Sequence, residues 1–114
     1  MKVVDLITSI RASTGHMSLD IVVGEGQIGA SAVKLGAEVI ATGADIQCAL
    51  GRGPELVGHV LTTKSTVTDV NDFTNKTSVK YVFRDGLETQ TFLSKVEVDQ
   101  NGDAVVYRSR FTFI

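Results

Sequence analysis

Residues 21–29 read Ile-Val-Val-Gly-Glu-Gly-Gln-Ile-Gly, an apolar run followed by a literal GxGxxG. Two folds compete for this stretch. As a dinucleotide fingerprint, Ile21-Val22-Val23 is a strand and a pyrophosphate sits at the N-terminus of the helix that follows the glycines. Asp45 then lies near the point, about 20 residues on, where an acid meets the ribose. As a β-turn, the glycines supply positive φ between two strands. The spacing decides. Before Ala37-Glu38-Val39-Ile40 begins the next extended run, only Ala30 to Leu35 remain. At 1.5 Å per residue that is about 9 Å of helix, whereas a crossover takes about ten to twelve residues. The motif therefore reads as a turn, with no helix of more than two turns beginning at Gly29.

Working outward, glycines continue as punctuation at Gly36, Gly43 and Gly51, between the apolar groups Val33/Leu35, Val39/Ile40 and Ile46/Cys48/Leu50. Inside a helix each glycine costs about 1 kcal/mol relative to alanine, so short strands and turns fit better. Ser18 to Val23 reads as a strand. Lys2 to Arg11 fits either a helical or a strand periodicity and leans to strand.

The second half alternates more clearly. Thr77, Val79, Tyr81 and Phe83 alternate with Ser78, Lys80, Val82 and Arg84, a half-buried strand. Asp85-Gly86 signals a two-residue hairpin, with Leu87 to Val98 as the return strand. Its mixed parity calls for a bulge near Ser94, and Lys80 and Arg84 then face Glu88 and Gln90. Asn101-Gly102 signals a second hairpin, and Val105, Tyr107, Ser109, Phe111 and Phe113 form one face of the last strand. Three consecutive antiparallel strands are expected from Thr77 onward. Leu56 to Val70 reads as one long strand, with Thr63-Lys64 as its weakest point.

These features predict an all-β fold, an antiparallel β-sandwich of about seven or eight strands over residues 1–114. It is immunoglobulin-like in size, but one Cys and no Trp leave out that family's markers. The alternative is a hot-dog-like α+β arrangement with a central helix at 27–50. The β-branched Val33, Val39, Ile40 and Thr42 and the glycines oppose that helix.

Composition bounds the function. The net charge of −2 gives no electrostatic reason to bind nucleic acid or an anionic membrane. No apolar run approaches the length of about 20 residues that crosses a membrane. Lys2 followed by Asp5, without a long apolar run, is not a signal peptide. A cytoplasmic protein is expected, or a secreted one if a leader has been removed. The lone Cys48 allows no intrachain disulfide. Asn75-Lys76-Thr77 is formally a glycosylation sequon, relevant only to secretion in a eukaryote.

Each chemical candidate has a plainer reading. Cys48 with His59 or His16 as base lacks a nearby cation to lower the thiol pKa, and it shares parity with Ile46 and Leu50 as a core residue does. The two histidines lack metal-ligand spacing. Asp69, Asn71, Asp72 and Asn75 form an oxygen-rich loop with calcium-ligand chemistry, yet Asx residues also favour turns for their own backbone bonds. Asp99 to Asp103 reads as a hairpin turn. Gly51-Arg52-Gly53-Pro54 is an anion loop or, more simply, a turn. Lys80, Arg84, Arg108 and Arg110 form a basic patch or solvated strand faces.

The functional expectation is a non-enzymatic module for protein–protein interaction or assembly through exposed sheet edges, binding a protein partner or itself, without a cofactor. The rivals are a small ligand-binding or thioester-processing enzyme of hot-dog type and a calcium- or carbohydrate-binding sandwich. The absence of Trp weakens the carbohydrate case.

Overall fold

Nine strands and a single helical turn make up the fold in a computed structural model that describes residues 1–114. They are β1 (Lys2–Ile10), β2 (His16–Val23), β3 (Ile28–Leu35), β4 (Glu38–Gly43), β5 (Ile46–Arg52), α1 (Gly53–Leu56), β6 (Val60–Thr68), β7 (Lys76–Arg84), β8 (Thr89–Glu97) and β9 (Ala104–Phe113). A five-stranded sheet, ordered β1-β9-β6-β3-β4, packs on a four-stranded sheet, ordered β5-β2-β7-β8. This is the expected all-β sandwich. The strand count exceeds the expected seven or eight because Lys2–Ile10, ambiguous in its periodicity, is fully extended. The segment proposed as a hot-dog helix, 27–50, is instead β3, β4 and most of β5.

Each sheet turns its alternating apolar residues inward. Leu19, Ile21, Val79, Tyr81 and Phe83 of the four-stranded sheet meet Val33, Leu61, Val67, Val105, Tyr107, Phe111 and Phe113 of the other. Aromatic rings concentrate in one part of this core: Phe83 stacks edge-on against Phe111 at 4.8 Å between centroids, and Tyr81 does so at 5.5 Å. The inner face of the five-stranded sheet also buries cross-strand hydroxyl pairs. Ser31 and Ser65 lie 2.7 Å apart, and Thr63 bonds Ser109. Each hydroxyl gives its neighbour the partner that burial demands. The Tyr81 hydroxyl, beside the Thr63–Ser109 pair, has no hydrogen-bond partner, and burial pushes its pKa up.

Five local expectations are corrected. The β7–β8 register runs without a shift from Lys76↔Glu97 to Arg84↔Thr89, so there is no bulge near Ser94. The turn has four residues, 85–88, because Asp85 caps it: its Oδ1 accepts the N–H of Leu87 at 2.9 Å and of Glu88 at 2.6 Å. Lys80 consequently faces Leu93, and Arg84 faces Thr89. Leu87 and Leu93, whose parity suggested the bulge, are exposed.

The Asn101-Gly102 turn is not a hairpin. It carries the chain from β8 to the other sheet, where β9 pairs with β6 and, in parallel, with β1. The long strand expected over 56–70 begins at Val60, after α1, and runs unbroken through Thr63-Lys64. Pro54 in the first turn of α1 suits a helix start, where its missing N–H costs nothing.

Candidate functional site

The opening glycine motif joins the two sheets rather than a strand and a helix. Gln27 N–H bonds Gly24 O at 3.3 Å, with φ of 61° at Glu25 and 69° at Gly26 between them. Two consecutive positive φ values match a type I′ turn. Each glycine has a local cause. A Cβ at Gly24 would strike the Ser78 hydroxyl, one at Gly26 the Asn71 amide, and one at Gly29 the Val23 side chain. Asp45, the supposed ribose acid, accepts the Val23 N–H at 3.0 Å. It ties off β2 beside the turn.

Gln27 is the polar centre of this region, and its role was not visible in the sequence. Its buried amide stitches the β6–β7 loop. Oε1 accepts the N–H groups of Val70 (2.8 Å) and Asn71 (2.9 Å), and Nε2 donates to Thr74 O (3.3 Å) and Lys76 O (2.9 Å). Asn71 adds a bond to Glu25 O and accepts the Phe73 N–H. Phe73 is left 98% exposed at the tip.

The oxygens named as calcium ligands are engaged differently. The Asn71 oxygen serves Phe73, and Asp72 Oδ1 accepts from the Asn101 amide at 3.1 Å. Asn75 contributes its carbonyl to Val98 N–H. Asp69 continues the inward parity of β6 and is buried, and its carboxylate has no hydrogen-bond partner. No three His, Cys, Asp or Glu side chains converge closely enough to hold a metal ion.

The other sequence candidates disperse. Cys48 is half-buried on β5 opposite Leu19, and burial, with Asp20 nearby, pushes its thiol pKa up. A raised pKa keeps a cysteine protonated and poorly nucleophilic. His16 and His59 are both exposed, on β2 and in the loop after α1. Arg52 precedes α1, where Gly53 packs so tightly on Ser13 that a Cβ would overlap its carbonyl. Lys80 and Arg84 lie on one sheet and Arg108 and Arg110 on the other, so these four make no common patch. Thr77 of the sequon is buried and bonded to Tyr107.

What the topology does assemble is an edge and a face. The edge is β1, whose only partner is β9. Long, flat, apolar edge strands are templates for pairing, and proteins blunt them with bulges, charges or shortness. The other edges are blunted in these ways. β4 is six residues long with a register shift against β3, β5 has one against β2, and β8, as long as β1 and with Leu93 exposed, places the charges Lys95 and Glu97 outward. β1 has nine residues and an unbroken register, with Val3 51% and Ile7 78% exposed. Its one central charge, Asp5, is turned aside onto Arg108 by a bidentate pair, Oδ1–Nε 2.7 Å and Oδ2–Nη2 2.9 Å. This bond holds the Asp5 carboxyl below the usual carboxylate range.

The face is the outer surface of the same sheet. Cross-strand register aligns Ile7-Arg110-Thr62-Lys34 in one row and Asp5-Arg108-Lys64-Ala32 in the next. The outward parity of Arg108 and Arg110 was readable in the sequence. The strand pairing that adds Lys34 and Lys64 was not. No helix is long and apolar enough to cross a membrane. No family model, curated protein or solved structure matches the chain.

Proposed function

We propose that the chain is a protein-interaction and assembly module and that β1 is its contact edge. The observation that supports this reading is the exposed Ile7 at the middle of an unblunted nine-residue edge strand. Unpaired N–H and C=O groups along such an edge supply main-chain affinity, and alternate side chains supply specificity.

A second copy of β1, antiparallel about a two-fold axis at Ile7, fits best. That register sets Ile7 against Ile7 and Asp5 against Ser9. A register centred on Asp5 sets two carboxylates opposite each other, which is destabilising. The resulting contact is self-complementary, as a two-fold dimer requires.

Sedimentation of the purified chain over a range of concentrations tests this, together with hydrogen exchange of the β1 amides. A reversible dimer is expected, with β1 protection rising with concentration and both effects abolished in Ile7→Lys. A chain that stays monomeric throughout, or an Ile7→Lys variant that dimerises normally, overturns the reading.

A further inference from the structure

The outer face of β9, β6 and β3 carries four cations, Arg110, Lys34, Arg108 and Lys64, in two adjacent rows whose only carboxylate is Asp5. The chain as a whole has a net charge of −2, so the rest of its surface is markedly acidic. Arg108 is satisfied by Asp5, whereas no ion pair holds Lys34, Lys64 or Arg110. Between them, over the small side chains of Ala32 and Thr62, lies a shallow recess of about 360 Å³ that Lys34, Lys64 and Arg108 border.

We propose that this face docks an extended acidic protein segment, with carboxylates at alternate positions. Neighbouring strands lie about 4.8 Å apart, and same-face residues along a strand repeat at about 6.8 Å. An extended Asp/Glu-x-Asp/Glu segment repeats its carboxylates at that same interval. One laid along β6 therefore sets successive acids beside Lys64 and then between Arg110 and Lys34. Arg110 offers a planar fork for bidentate binding, and the lysines act as point charges. The small residues beneath let the segment approach the sheet.

The same features disfavour a nucleic acid. None of the residues in the two rows is aromatic, so bases have no ring to stack on. A long polyanion running past the two rows meets uncharged ones on either side, Val3-Val106-Thr66-Ala30 and Ser9-Thr112-Val60. The favourable field is local, as a short acidic segment requires.

The experiment uses the full chain and a fluorescent peptide of alternating Glu and Ser, read by anisotropy at low salt and again with added salt. Saturable binding is expected, weakening as salt screens the charges. Lys64→Glu combined with Arg110→Glu should weaken it by about tenfold or more, and Lys80→Glu on the opposite sheet should leave it unchanged. Both variants are checked for a native circular dichroism spectrum and melting temperature. If the double variant is misfolded, Lys34→Glu alone takes its place and should weaken binding in the same direction. The proposal is overturned by no binding to the native chain, by equal loss in Lys80→Glu, or by a DNA or RNA oligonucleotide of equal charge binding more tightly than the peptide. Ile7→Lys leaves the recess intact, so loss of dimerisation and loss of peptide binding are separable.

Discussion

Tyr107 on the five-stranded sheet donates its phenolic hydrogen to Thr77 Oγ1 on the four-stranded sheet, 2.6 Å away. The direction follows from proton count, since Thr77 gives its own hydrogen to Val96 O at 2.7 Å. One buried chain of three groups thus ties both sheets together. Low surrounding polarity strengthens such a chain and makes a missing member costly.

Tyr107→Phe removes a donor and is expected to cost about 1 kcal/mol. Thr77→Val leaves the buried Tyr107 hydroxyl without its acceptor and should cost more, about 2 kcal/mol. The double variant should cost less than the sum, because the two side chains share one bond. Urea unfolding of the four proteins completes the cycle. Strict additivity would show that the two hydroxyls do not interact.

The Gln27 amide serves four backbone groups of the β6–β7 loop. Gln27→Ala should therefore destabilise the chain by about 2–4 kcal/mol, at about 1 kcal/mol per bond. Hydrogen exchange should localise the effect, with the Val70 and Asn71 amides among the most accelerated. Gln27→Glu keeps the acceptor but cannot donate to the Thr74 and Lys76 carbonyls, so it rescues the Val70 and Asn71 amides and little of the stability. An unchanged exchange rate at Val70 in Gln27→Ala would refute the clamp.

Gln27 also marks where sequence reading stopped. The Gly24–Gly29 spacing excluded a helix, and the turn found there is what that exclusion left. Nothing in the local pattern, however, says that the residue between two glycines reaches a loop more than forty positions away (Gln27 to Val70). The same limit explains β9. Its alternation identified it as a strand, but Asn101-Gly102 looked like a hairpin because hairpins and sheet-to-sheet crossings use the same turn residues. Pairing partners are long-range facts, so the Lys34–Lys64–Arg110 face, built from three strands, was invisible. The Arg108 side of it was half legible from parity alone.

Asp85 makes the β7–β8 turn sensitive to acid. Hydrogen bonds from the Glu88 and Leu87 N–H groups hold its carboxyl below the usual range. A carboxylate whose pKa is lowered by folding contributes stability above its unfolded value of about 3.9. That contribution is lost as pH falls through the lower folded value. Asp85→Asn keeps an acceptor for both N–H groups and does not titrate. Its stability should fall less steeply than that of the native chain below about pH 4. Asp5, held down by its bond from Arg108, leaves a residual slope. Thermal melts across that range decide the point, and parallel curves for the two proteins would exclude Asp85 as a contributor.

Asp69 presents the opposite case, a carboxylate that folding leaves without a partner. Its backbone is well used: N–H donates to Asp103 O and its carbonyl accepts from Gly102 N–H, both at 2.9 Å. Its side chain is 1% exposed, and neither oxygen has a hydrogen-bond partner. A buried carboxyl left without a hydrogen-bond partner costs stability, and a replacement of similar shape can relieve that cost. Asp69→Asn should therefore stabilise the chain by about 1–3 kcal/mol, read from urea unfolding. The converse result has a specific meaning. If Asp69→Asn is less stable and calcium raises the melting temperature of the native chain but not of the variant, the carboxylate is paired with a bound cation. With Asn71 and Asp72 already bonded within the loops, the expected result is a stabilised variant and a melting temperature indifferent to calcium.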